Sequence, residues 1–248
     1  MKSNCLRIAP ALAAAVLGLS ASTGAQAQTP PASTLTANAA LVSDYRFRGV
    51  SQSFRKPALQ AGADYVASAG WYVGTWASTI DNNLYPSSAG VEWDLYGGYK
   101  MPLGSGWTLD VGLLQYVYPG AGSFNTLEAY VGASWDWFSV KYSHSLSSKF
   151  FGVADARGSG YIDLTAIYPL RTGFNVIGHV GYQRVAGGGN DADYSDYRLG
   201  LTYDWKGFTW GASVYGTSED FTFVKGSKSK DLGGAGLVVS VAKTFSLF

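Results

Sequence analysis

Over long stretches of this chain, apolar and polar residues alternate with a period of two. Leu35, Ala37, Ala39, Leu41, Tyr45 and Phe47 fall on one side, and Thr36, Asn38, Asp44, Arg46 and Arg48 on the other. Such a period places successive side chains on opposite faces of an extended strand. Residues 90–100 repeat the split, with Val91, Trp93, Leu95 and Tyr99 opposed to Glu92, Asp94 and Lys100. Segments 59–68, 71–80, 107–118, 126–136, 137–147, 161–169, 174–184, 195–205, 207–217 and 231–247 read the same way, with 71–80 and 174–184 the least clean. Twelve strands are therefore predicted, most of ten to twelve residues. That exceeds the ~5–6 residues usual in soluble sheets and suits a tilted strand crossing a bilayer.

The connections alternate too. Short links at 68–70, 104–106, 136–137, 171–173 and 204–207 interleave with longer ones at 49–57, 81–89, 119–125, 148–160, 185–194 and 218–230. Short turns on one side and long loops on the other predict an all-β fold: a closed antiparallel transmembrane β-barrel of about 12 strands, with long extracellular loops and short periplasmic turns. Trp71, Tyr99, Trp107, Trp135, Tyr168, Phe174, Trp205 and Phe208 gather beside the short turns. A β-sandwich core would alternate equally well, but rings collected on one rim suit a water–lipid boundary. The chain ends in a strand running to Phe248, similar to the C-terminal assembly signal of outer-membrane proteins. Phe248 is out of step with the apolar phase of Val239, Val241, Phe245 and Leu247.

At the other end, Lys2 and Arg7 precede an apolar run from Ile8 to Leu19, followed by Ala25-Gln26-Ala27. This is the layout of a cleavable secretory signal. The run falls short of the roughly 20 residues that cross ~30 Å of hydrocarbon as a helix. The expected organisation is a signal over 1–27, a linker over 28–34 and a barrel over 35–248, located in the cell outer membrane. The only cysteine, Cys5, lies in the removed segment, so disulfides, zinc–thiolate sites and cysteine nucleophiles are excluded from the mature chain. The formal charge of +1 becomes about −1 without Lys2 and Arg7, which leaves no basic field for nucleic acid.

With the apolar phase facing lipid, the other phase projects inward: Asp44, Arg46, Arg48, Asp64, Glu92, Asp94, Lys100, Asp110, Glu128, Lys141, Asp163, Asp196 and Arg198. All of these except Lys100 and Asp196 form the predicted pore lining. Charges in a low dielectric must be paired or hydrated. They either line a narrow water-filled constriction that selects small solutes or ions, or form salt bridges that fill the barrel. Eight-stranded barrels are filled and sixteen-stranded ones hold channels, so twelve lies between. Asp44, Arg46 and Arg48 read either as an eyelet facing Glu92 and Asp94 or as a wall ladder of ion pairs.

Among the loops, Arg55, Lys56, Lys225, Lys228 and Lys230 read as solvated charge or as contacts to lipopolysaccharide phosphates. A lipid hydrolase would need a serine activated by histidine. The stretch Tyr142-Ser143-His144-Ser145-Leu146 puts leucine where barrel lipases carry serine, and His179 has no following serine. The chain therefore reads as a non-enzyme with no catalytic, cofactor or metal motif.

The words Ser43-Asp44-Tyr45-Arg46-Phe47-Arg48-Gly49-Val50-Ser51-Gln52, Pro57-Ala58-Leu59-Gln60-Ala61-Gly62, Gly70-Trp71-Tyr72-Val73-Gly74-Thr75-Trp76-Ala77-Ser78 and Asp94-Leu95-Tyr96-Gly97-Gly98-Tyr99 resemble the proteobacterial TorF-type porin family, most strongly over residues 35–100. The resemblance implies an outer-membrane barrel that passes solutes, and it brings no catalytic residues. The expected function is a narrow, charge-lined passive channel. Its expected partners are outer-membrane lipids, lipopolysaccharide, the barrel-assembly machinery and small solutes. The alternatives are a structural or surface-display barrel without an open pore and an outer-membrane lipid hydrolase.

Overall fold

The structure, a computed structural model, describes residues 32–85, 89–187, 192–225 and 228–248, with the side chains of Lys225 and Lys228 left out. The expected signal over 1–27 lies outside these residues. Twelve antiparallel strands close on one another: β1 (Thr34–Val42), β4 (Ala58–Val66), β5 (Trp71–Thr79), β6 (Val91–Gly104), β7 (Trp107–Val117), β8 (Thr126–Trp135), β9 (Phe138–Ser145), β10 (Gly160–Arg171), β11 (Phe174–Arg184), β12 (Tyr194–Trp205), β13 (Phe208–Thr217) and β16 (Gly236–Ser246). β1 pairs with β16 through seven residues from Thr36↔Ser246 to Val42↔Ser240, which seals the seam. Closure leaves no edge strand exposed.

Two predicted boundaries are corrected. The first strand ends at Val42, and residues 43–57 leave the wall to form an inward hairpin of β2 (Arg46–Phe47) and β3 (Val50–Ser51). Arg48 (φ 42°) and Gly49 (φ 80°) supply the two left-handed positions of its two-residue turn. The hairpin also alternates with a period of two, so its residues continue the pattern of the wall strand. At the other end the last strand starts at Gly236, because residues 228–231 belong to an outer hairpin of β14 (Thr222–Lys225) and β15 (Lys228–Asp231).

The two segments whose alternation was least clean have definite faces. Tyr72, Gly74, Trp76 and Ser78 of β5 point inward, as do Ile177, His179, Gly181 and Gln183 of β11. Their pattern is blurred because rings and an isoleucine face the interior. On the outer face Leu59, Val73, Leu113, Val180, Leu199, Leu201 and Leu237 are each at least half exposed. Around the short-turn rim, rings pair between strands: Trp107 with Trp135, Trp137 with Tyr168, and Phe174 with Tyr203.

The interior is graded. At the long-loop end Tyr45, Phe47, Trp76, Tyr85, Tyr116, Tyr118, Phe150 and Phe151 make one buried cluster. Toward the short-turn end the inward residues Asp64, Tyr96, Lys100, Asp110, Tyr130, Lys141, Asp163, His179 and Arg198 are only half-buried. A filled mouth therefore sits above a polar cup.

Candidate functional site in the barrel interior

The mouth is built around the inward hairpin. Arg48 Nη2 donates to both carboxylate oxygens of Glu128 on β8, at 3.0 and 2.9 Å, and Nη1 donates to Gln183 of β11. The guanidinium lies 4.2 Å from the centre of the Tyr161 ring and 4.7 Å from that of Phe47. Burial, the largest single influence, would lower the Arg48 pKa, but the Glu128 carboxylate together with Tyr116, Tyr161 and Tyr194 outweighs it and raises the group above its ordinary value. Arg46 Nε folds back onto Asp44 at 2.5 Å, and its Nη1 donates to the Leu232 and Gly234 carbonyls at 3.1 Å. The hairpin is thus fastened to the loop before β16. A Cβ on Gly49 would stand 2.8 Å from that of Asp196, so only glycine fits this close approach.

Arg48 meets Glu128, rather than the Glu92 and Asp94 that face it in one of the two expected readings, and Arg46 serves the hairpin itself. Glu92 accepts the Tyr45 hydroxyl at 3.1 Å. Glu92 and Asp94 are 0% and 1% exposed, and Glu92 Oε2 and Asp94 Oδ1 have no hydrogen-bond partner among the described residues. Among the described residues no cationic side chain pairs with either.

In the cup, strand register sets a charged row. Lys100, Asp110, Gly132, Lys141, Asp163, Gly181 and Asp196 stand directly opposite one another on seven successive strands. Because the strands tilt, the row climbs from the short-turn rim to the underside of the hairpin at Gly49. Beside it runs a second row of Tyr72, Gly98, Gly112, Tyr130, Ser143 and Tyr161. Tyr72 lies across Gly98, where a Cβ would come within 2.6 Å of its hydroxyl. The Tyr72 hydroxyl donates to Asp110 at 2.6 Å and meets the hydroxyl of Tyr130.

The acids of the cup take neutral hydroxyls where an ion-pair ladder was one expectation. Asp64 accepts from Tyr96 at 2.6 Å, and Asp163 from Thr165 at 2.7 Å. Lys100 sits 5.3 Å above Tyr72, Lys141 5.6 Å above Tyr130, and Arg198 5.1 Å above Tyr215. No carboxylate of the described residues pairs with these three cations within 4 Å.

His179 is the residue that sequence reasoning set aside as an ordinary wall histidine. Its Nε2 lies 2.9 Å from Asp196 Oδ1, and its Nδ1 3.0 Å from Thr165 Oγ1 and 3.5 Å from Asp163 Oδ1. Thr165 has one proton and donates it to Asp163, so it accepts from Nδ1. Nε2 also lies 3.1 Å from the Tyr161 hydroxyl, which donates to Asp196 Oδ2 at 2.8 Å. His179 thus sits between Asp163 and Asp196 in one hydrogen-bonded group. The other histidine, His144, faces outward with Tyr142, away from inward Ser143 and Ser145.

Three of the loop cations, Arg55, Lys56 and Lys230, are engaged within the chain, and the side chains of Lys225 and Lys228 lie outside what is described. Lys56 pairs with Asp81 at 2.6 Å, Arg55 Nη2 donates to the Gly234 carbonyl at 2.9 Å, and Lys230 donates to that of Phe54 at 2.9 Å. Among the described residues, no group of three or more His, Asp or Glu side chains converges as a metal site.

Known structures share this architecture. The KdgM porin aligns with a TM-score of 0.54 at 10% identity, covering 86% of this chain and 99% of that one. A KdgM porin in complex with disordered oligogalacturonate gives 0.53 at 11% identity, over 86% and 99%. The NanC porin gives 0.55 at 13% identity, over 85% and 98%. At such identities the likeness concerns the fold. No curated protein sequence matches. A family model described as a bacterial protein of unknown function, Gcw_chp, matches residues 25–245; that span takes in the barrel up to the last residue but one of β16, and the chain belongs to this family.

Proposed function

We propose that this protein is an outer-membrane passive channel for small solutes, with residues 43–57 forming the constriction at its outer mouth. The carrying observation is a closed barrel whose outer face is an apolar belt while its interior holds a polar, half-exposed cup. An apolar belt of this kind belongs against hydrocarbon. The porin fold and the resemblance to TorF-type porins point the same way. On this reading residues 1–27 direct export, the barrel-assembly machinery receives the last strand, and Arg55, Lys56 and Lys230 at the loop rim meet lipopolysaccharide phosphates. Residues Asp64, Asp110, Lys141, Asp163 and Arg198 line the passage directly. Asp44, Arg46, Arg48, Glu92, Asp94 and Glu128 hold or border the hairpin that narrows it.

The filled mouth favours a second reading, a display barrel whose interior never opens. Planar-bilayer recording separates the two. Conductance from the full-length barrel, enlarged when residues 46–51 are replaced by a short glycine linker, supports the channel. A parent and a variant that both stay silent after verified folding would exclude it.

A further inference from the structure

We propose that the cup binds small zwitterionic solutes, molecules with one ammonium-type and one carboxylate-type group, along the row of Lys100, Asp110, Lys141 and Asp163. The proposal rests on the channel reading and names the class of solute it serves. Lys100 stands directly opposite Asp110, and Lys141 directly opposite Asp163, on strands about 4.8 Å apart, so each pair presents opposite charges side by side to one small molecule. The two ammonium groups are free of carboxylate partners within 4 Å, because Asp110 is held by Tyr72 and Asp163 by Thr165 and His179. A solute carboxylate therefore finds a cation that no internal ion pair must first give up. Carboxylates keep lone pairs beyond those used by a single hydroxyl, so Asp110 remains able to accept from a solute ammonium.

The mixed charge of the cup points to the same class. Lys100, Lys141 and Arg198 stand among Asp64, Asp110, Asp163 and Asp196, so both signs are presented along one wall and a molecule bearing both charges is met at both ends. An acidic oligomer is disfavoured, since its repeated carboxylates would run against Asp110 and Asp163 on the same row.

The test uses the full-length barrel refolded into liposomes, with swelling rates in proline, in the neutral polyol erythritol and in pyroglutamate, which keeps the carboxylate of proline and lacks its ammonium. Proline is expected to enter about fivefold faster than either, the factor set by one contact ion pair across water. In Lys100→Met/Lys141→Met the proline-to-erythritol ratio falls toward one. Equilibrium dialysis of labelled proline against the detergent-held barrel runs alongside, without any need for a pore. Binding that exceeds pyroglutamate and disappears in the double variant supports the site even where liposomes stay sealed, in which case the channel reading alone fails. Equal or stronger binding of pyroglutamate, or permeation that favours it, overturns the proposal.

Discussion

Arg48 reaches Glu128, 80 residues further along the chain and four strands round the wall from β4, and binds both its oxygens at 3.0 and 2.9 Å. One residue of an inward hairpin thereby joins two distant parts of a closed wall. Both side chains are at most 2% exposed, so the pair operates in a low dielectric. Its importance lies less in net attraction than in the cost of separating it.

Arg48→Ala should destabilise the barrel by about 3–5 kcal/mol, because it leaves Glu128 buried without its cation. It should also raise the frequency of open events in planar bilayers, since the hairpin loses its far anchor. Glu128→Gln retains acceptor and size and should cost less than Arg48→Ala. Urea midpoints of refolded protein check the order, and equal midpoints for Arg48→Ala and parent would mean that the hairpin is held by its aromatic contacts alone.

Asp94→Asn should have the opposite sign. Asp94 Oδ1 is buried without a partner, and an ionised carboxylate there has no cation beside it. A neutral amide of the same size relieves a burden of about 1–3 kcal/mol, the penalty of an unsatisfied buried group. A loss of stability in the same urea titration would show that Asp94 has a partner formed in solution.

Acid should release the loop segment 80–85 before it affects the barrel. Desolvation tends to raise the Asp81 pKa, but hydrogen bonds from Lys56 and Asn83 outweigh it and hold the carboxyl below its ordinary value. A depressed folded pKa means that the contribution is complete above the unfolded value near 4 and disappears as pH falls through the folded one. Limited proteolysis should therefore show this loop protected at pH 5–8 and cut below about pH 4. The effect is small because Lys56 is 59% exposed. Asp81→Asn should abolish the acid dependence, and an unchanged pH profile in that variant would assign the transition elsewhere.

Gly98→Ala and Gly178→Ala form a contrasting pair. A Cβ at Gly98 would lie 2.5 Å from the Val111 carbonyl oxygen and 2.6 Å from the Tyr72 hydroxyl, while at Gly178 nothing lies within 4 Å. The first should cost about 1–3 kcal/mol through overpacking and weaken the Tyr72–Tyr130 contact, and the second should stay within about 0.5 kcal/mol of the parent. Similar unfolding midpoints for both variants would show that Tyr72 swings away from the wall at no cost.

Deleting Phe248 should slow assembly while leaving the finished barrel's stability nearly unchanged. The Phe248 side chain is 66% exposed, and its carbonyl accepts only the Leu35 amide at 3.0 Å. Pulse-labelled cells should show normal signal cleavage with delayed appearance of the heat-modifiable form. Equal assembly rates would move the recognition role to Phe245 and its lipid-facing neighbours.

What the sequence determined by itself is local. Pleating sends successive side chains to opposite faces, so the pattern alone puts Trp93 and Leu95 outward and Glu92 and Asp94 inward without any partner strand, and the short turns mark strand ends on their side of the barrel. The inward direction of Asp64, Asp110, Lys141, Asp163 and Arg198 follows from the same rule. The departure of residues 43–57 from the wall did not follow, since a hairpin alternates as a wall strand does, and the dipeptide Arg48-Gly49 was the only local sign of its turn. Only the tertiary structure decided that Arg48 meets Glu128, that His179 lies between Asp163 and Asp196, and that Lys100, Lys141 and the aspartates share one climbing row. Those relationships depend on register accumulated round a closed sheet. A shift of one residue at any pairing would send every side chain of the strand to the other face, so contacts across the barrel are set by all of the pairings together.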